Sequence, residues 1–249
     1  MSGAARSTTM SDSHSGSTLH LLYGGTFDPI HCGDLAVARA ALAATRASRL
    51  DFVPAADPPH RAAPGATFAD RVDLISAALG DEPPLPRGEW GIDAREGHRA
   101  GPSFTVDTLR EWRSARDAAA PLGFVMGADA FLGLPSWRDW RALFDLAHLV
   151  VAQRAGSDLG ALPRTLADAV EGRWASDAAD LHAAPSGRVF RLDLPLRPES
   201  ATAVRLALQG RAPAPLDAPE ADAGPWAAAG LPPAVAALIA ARGLYHRRS

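Results

Sequence analysis

The chain has 249 residues, 47% of them hydrophobic and 21% charged, which suits a globular protein large enough to bury a sizeable core. A formal net charge of -3 argues against a polyanion-binding surface or a polybasic anchor, so neither nucleic acid nor membrane is expected as a partner. All 25 residues counted as Lys+Arg are arginine, which excludes a Walker A phosphate loop and any Schiff-base lysine.

Residues 1 to about 18 are rich in Ser, Thr and Gly and lack the apolar core of a signal peptide. They are expected to be a disordered extension, with Met10 as an alternative start, ahead of a single domain over 19–249. Leu19 to Tyr23 reads as a strand, Gly24-Gly25 as a turn, and an alanine-rich pattern as a helix over about 34–46. Paired glycines let a backbone approach an anionic ligand closely. The helix start would turn its unpaired N–H groups and positive dipole end toward that ligand. His31, just before the first helical turn, then stands where a phosphate would rest. The sole cysteine, Cys32, cannot form an internal disulfide, which fits a reducing cytoplasm. It lacks the spacing of a metal ligand, and no metal cluster is expected.

Arg49 to Ala55 is a second strand, leading into the stiff loop Asp57-Pro58-Pro59-His60-Arg61. Phe68, Val72, Ile75 and Leu79 have helical spacing, and Trp90 to Ala94 reads as a third strand. Ser103 is expected to cap a helix carrying Leu109 and Trp112. Leu122 to Met126 is a buried-strand run ending at Gly127-Ala128-Asp129, and a carboxylate at that end of a parallel strand sits where ligands bind in open α/β sheets. Phe131 to Trp140 is aromatic-rich and mostly core. His148 to Ala152 and Val189 to Asp193 are two further strands, and the stretch 156–187 between them has little periodicity. Ser200 is a helix N-cap with Arg205 about one and a half turns along, an arrangement suited to a triphosphate. Residues 210–230 read as a loop, and Leu231 to Ala240 as a final helix closed by Gly243. The alternation of strands and helices argues for a parallel, doubly wound α/β sheet.

The string from Gly24 to Asp34 resembles the G-G-T/S-F-D-P-x-H-x-G-H signature of the nucleotidyltransferases, with Asp34 at the last position in place of His. Further segments narrow the likeness: Pro58-Pro59-His60-Arg61, Pro102-Ser103-Phe104-Thr105-Val106-Asp107-Thr108-Leu109, Gly127-Ala128-Asp129, Trp137, Ser200-Ala201-Thr202 with Arg205, and the stretch from Leu231 to Tyr245. Together they resemble the bacterial nicotinate-nucleotide adenylyltransferase family along essentially the whole domain.

That resemblance implies a Rossmann-like fold and the joining of ATP to nicotinate mononucleotide, giving nicotinate adenine dinucleotide and pyrophosphate in NAD biosynthesis, usually with Mg²⁺. The mononucleotide phosphate is already ionised, so no general base is implied and catalysis is positioning plus charge stabilisation. His31 and Arg205 would act on the ATP phosphates, with Ser200 and Thr202 holding the triphosphate. Gly24, Gly25, Thr26 and Phe27 would line the meeting point of the substrates, and Gly127 and Asp129 would meet the adenosine. Trp137 would stack on the pyridine, amides around Thr105 would receive its carboxylate, and His60 and Arg61 would add positive potential. Asp34, facing phosphates about 4 Å away, would cost roughly 4 kcal/mol at an effective dielectric near 20, and reduced activity is expected. Nicotinamide mononucleotide as acceptor, and a nucleotide-binding protein with impaired catalysis, are the alternatives. A Rossmann-type oxidoreductase is not, since Gly-x-Gly-x-x-Gly is missing after the first strand. A homo-oligomer is compatible with the sequence.

Overall fold

The computed structural model describes residues 18–58, 63–154, 159–195, 199–209 and 230–245. The expected N-terminal extension, His60, Arg61 and most of the 210–230 loop lie outside these residues.

Six strands, β1 (His20–Gly25), β2 (Arg49–Pro54), β3 (Glu89–Ile92), β4 (Leu122–Gly127), β5 (His148–Arg154) and β6 (Val189–Leu194), form one all-parallel sheet in the order β3-β2-β1-β4-β5-β6. The parallel pairing requires crossovers, and these are helical: α1 (Cys32–Thr45), α2 (Phe68–Gly80) and α3 (Thr105–Ser114) in the first half, with short helices α4 (Ala128–Leu132) and α5 (Leu143–Leu146) before β5. The weakly periodic stretch before β6 holds α6 (Arg164–Val170) and α7 (Ala179–His182), and α8 (Ala201–Leu208) and α9 (Pro233–Arg242) end the fold.

Successive strand residues point to opposite faces, and both faces are covered. Leu21 and Tyr23 join a core cluster with Leu35, Leu74, Ile75 and Ile239, whereas Leu22 joins a second cluster with Leu109, Trp112, Leu143 and Leu166. On α2 the buried face is Arg71, Leu74, Ile75 and Ala78, with Phe68, Val72 and Leu79 at its half-buried border. The apolar pattern thus located the helix but placed its inward face slightly off, because an arginine occupies the centre.

Strand order reverses between β1 and β4, and the crevice outside their carboxyl ends is where open α/β sheets bind ligands. In register, Tyr23 pairs with Val125, so Gly24-Gly25 and Gly127 finish the two strands side by side at this point.

Candidate active site

Two connected chambers open at the switch point. A cavity of about 410 Å³ lies beside β4 and α3, and a larger one of about 1130 Å³ lies over the loop following β1; they share Gly25, Thr26 and Asp129. The larger chamber gathers His31, Asp34, Ser200, Thr202 and Arg205. The smaller gathers Gly24, Gly127, Thr105 and Trp137 with Phe104, Glu96 and Arg138. Residues from Gly24 to Arg205 therefore converge on one crevice. Phe27 lines the larger chamber; of the expected site residues only His60 and Arg61 are not placed, being outside the described residues.

The larger chamber is built on the start of α1. His31 is the N-cap: its Nδ1 accepts from the Asp34 N–H at 3.3 Å, and the Asp34 carboxylate accepts from the His31 N–H at 3.1 Å. This is a reciprocal capping box made with His and Asp in place of the usual Ser/Thr and Glu. With Nδ1 accepting, the neutral ring carries its proton on Nε2, a donor available to an anion. Gly33 makes the arrangement possible, because a Cβ there would stand 3.0 Å from the imidazole. Asp34 also accepts from the Tyr23 hydroxyl at 3.3 Å. Its carboxylate is thus held back against the helix start.

Arg205, on α8, donates to the Asp28 carbonyl at 2.6 Å and to the Thr202 hydroxyl at 3.3 Å. Ser200 caps that helix as expected, accepting from the Ala203 N–H at 3.1 Å. Sequence reasoning missed the group that organises this side. The buried Asp28 carboxylate accepts from the Gly65 and Ala66 N–H groups at 2.8 and 3.1 Å and from the Tyr245 hydroxyl at 2.9 Å, and lies 3.7 Å from Arg205. Burial, then the adjacent Asp28 carboxylate, raise the Tyr245 pKa, so the phenol stays a donor. Arg71, buried on α2, donates to the Thr26 carbonyl at 2.7 Å and fixes the loop from beneath, its pKa lowered by burial. A charged residue on the apolar stripe of α2 was the available signal. Phe27 itself sits at φ 50, in the left-handed region that non-glycine residues rarely adopt.

The paired glycines also answer a packing need. A Cβ on Gly24 would lie 2.4 Å from the Phe124 ring, and one on Gly25 would lie 2.7 Å from the Phe27 ring. They make room for the protein's own aromatics. A Cβ on Gly127 would meet nothing within 4 Å, so that face is open to the crevice.

In the smaller chamber, Ser103 does not cap α3. Its hydroxyl accepts instead from the Ala56 and Asp57 N–H groups at 3.2 and 3.3 Å, tying β2's exit loop to the chamber wall. The N-cap is Phe104, which offers no side-chain acceptor. The first N–H groups of α3, at Thr105 and Val106, consequently have no partner among the described residues. Unpaired amides and a positive dipole end facing a cavity suit an anion. Trp137 is half-buried on the opposite wall, whereas Phe131 and Trp140 are core.

The cytidylyltransferase-like family matches residues 22–207. A probable nicotinate-nucleotide adenylyltransferase of Stenotrophomonas maltophilia is 48% identical over 229 residues, covering 92% of this chain and 97% of its own length. One of Marinobacter nauticus is 41% identical over 196 residues, covering 78% and 88%. Among solved structures, Plasmodium falciparum nicotinic acid mononucleotide adenylyltransferase complexed with NaAD has the same fold, with a TM-score of 0.68 at 14% identity over 92% of this chain and 97% of that one. With a parallel sheet of this order and these relatives, the chain belongs to the nicotinate-nucleotide adenylyltransferases of the cytidylyltransferase-like family.

Proposed function

We propose that this protein transfers the adenylyl group of ATP to nicotinate mononucleotide, yielding nicotinate adenine dinucleotide and pyrophosphate. The observation that carries the reading is the pair of chambers meeting at Gly25, Thr26 and Asp129, one lined by His31, Ser200, Thr202 and Arg205 and the other by Trp137, Phe104 and the α3 start. The triphosphate occupies the larger chamber and the pyridine the smaller, so that the mononucleotide phosphate meets the α-phosphorus at the shared wall.

A phosphate oxygen of the mononucleotide bonds to the α-phosphorus as the bond to the bridging oxygen breaks, and pyrophosphate departs. No proton has to be removed, because the attacking phosphate is ionised. His31 donates from Nε2 to the α-phosphoryl oxygens, with its ring orientation set by the Asp34 amide. Arg205 is held by the Asp28 carbonyl and Thr202, and with Ser200 it draws the leaving pyrophosphate. Asp129 accepts from the adenosine ribose, Trp137 stacks on the pyridine, and the Thr105 amide receives the nicotinate carboxylate. His60 and Arg61 add positive potential on this reading.

No three His, Cys, Asp or Glu side chains come together as a metal cage among the described residues. Mg²⁺ entering with ATP would rely chiefly on phosphate oxygens and water for its ligands and would neutralise triphosphate charge. The same reading takes the chain to be cytoplasmic, with no helix among the described residues long and apolar enough to cross a membrane. The test is chromatographic: ATP, Mg²⁺ and nicotinate mononucleotide should yield the dinucleotide with wild-type protein and at least about a hundredfold more slowly with His31→Ala. An equal rate in the variant would refute the role of His31, and no dinucleotide from either would refute the function.

A further inference from the structure

Arg138 is the one cation lining the smaller chamber among the described residues. Its guanidinium lies over the face of Phe104, 4.8 Å from the ring centroid, beside the N-cap of α3 and next in sequence to Trp137. Its other partner is the Asp107 carboxylate at 3.9 Å, beyond hydrogen-bond reach. The neighbouring Arg110, by contrast, is engaged by Asp139 at 2.7 Å. Among the described residues, Arg138 therefore keeps a planar fork of donors uncommitted at the mouth of a cavity.

The other ionisable groups on this wall are Glu96 and Asp129, both carboxylates. Glu96 is buried, accepts from the Thr108 hydroxyl through Oε1 and leaves Oε2 without a hydrogen bond among the described residues. An anionic pyridine substituent entering here meets two carboxylates, of which Glu96 is partly offset by Arg99 at 3.8 Å, and the unpaired amides of α3 supply only partial positive charge against them. A neutral carboxamide meets no such opposition.

Resting on the adenylyl-transfer reading above, we propose that the Arg138 side chain is a specificity-determining residue: its guanidinium pairs with the carboxylate of nicotinate and favours the acid mononucleotide over the amide. A guanidinium presents parallel N–H donors that match a carboxylate's two oxygens, a match an ammonium cannot reproduce. Stacking on Phe104 limits the orientations the fork must give up on binding.

The experiment is steady-state kinetics with nicotinate and nicotinamide mononucleotides on wild-type protein, Arg138→Gln and Arg138→Lys. The glutamine variant should lower kcat/KM for the acid by about tenfold, mainly through KM, while the amide value moves less than about twofold. The lysine variant should recover only part of the loss, and added salt should shrink the wild-type preference. An unchanged acid-to-amide ratio in Arg138→Gln, or equal losses for both substrates, would overturn the proposal alone. Wild-type protein that turns over neither mononucleotide would overturn the reading beneath it as well.

Discussion

Replacing Asp34 by Asn tests how much a carboxylate at the signature position costs. Asp34 Oδ2 lies 3.5 Å from His31 Nδ1, on the far side of the ring from the nitrogen that would meet phosphate. Crossing the imidazole adds about 2.2 Å and a hydrogen bond about 2.8 Å, so a phosphate oxygen on Nε2 stands roughly 8 Å from Oδ2. At an effective dielectric near 20 the repulsion per phosphate charge is then roughly 2 kcal/mol, about half the value for direct apposition. The corresponding rate factor is at most about thirtyfold, and less with salt, whose Debye length is about 8 Å under physiological conditions. Asparagine keeps an acceptor for the His31 N–H while removing the charge. Asp34→Asn should therefore raise kcat/KM for ATP between about threefold and thirtyfold, more at low salt, while stability shifts by less than about 1 kcal/mol. Asp34→His should gain by a similar factor. Pyrophosphate release at two ionic strengths is the assay. A variant no faster than wild type would refute the argument and point to a carboxylate that helps, as a ligand for a cation would.

Other consequences follow from particular contacts. Gly24→Ala forces a methyl against Phe124 and should lose about 1–3 kcal/mol in urea denaturation, whereas Gly127→Ala, with nothing within 4 Å, should change stability little and act only on ATP binding. Tyr245→Phe removes one of the donors to Asp28 and should cost about 1–2 kcal/mol; an unchanged midpoint would mean the phenol is dispensable to that network. His148 is fully buried, with a pKa lowered from 6.5 by burial, and accepts from the Arg188 N–H at 3.0 Å. The unfolded chain thus binds a proton that the folded chain does not between that lowered pKa and 6.5, so the stability is complete above 6.5 and is lost as pH falls below it. His148→Gln should flatten the dependence over that window, and an unflattened curve would assign it elsewhere.

Much of the crevice was legible because its parts are local in sequence. The run Leu19 to Gly25 followed by a helix specifies a strand, a turn and a helix start, and the same logic marks Gly127-Ala128-Asp129 at the end of β4. The alternation of elements implied a parallel sheet, and its strand order then makes the ends of β1 and β4 neighbours. What periodicity could not convey was polar support from a distance. Asp28 is joined to Tyr245, 217 residues away, and Arg71 reaches back 45 residues to the Thr26 carbonyl. Neither partner can be inferred from spacing, since both depend on how α2 and α9 pack together beneath the loop. Ser103 illustrates a related limit. A hydroxyl before a helix is an ordinary cap, but here the exit of β2 lies close enough to claim it, and the first α3 amides have no partner among the described residues.

The most direct test of the central claim is pyrophosphate release by the intact chain with ATP and Mg²⁺, comparing nicotinate mononucleotide, nicotinamide mononucleotide and no acceptor. The account predicts turnover that requires an acceptor and is faster with the acid than with the amide. Faster release with the amide, release that needs no acceptor, or tight ATP binding with no release under any condition would contradict it.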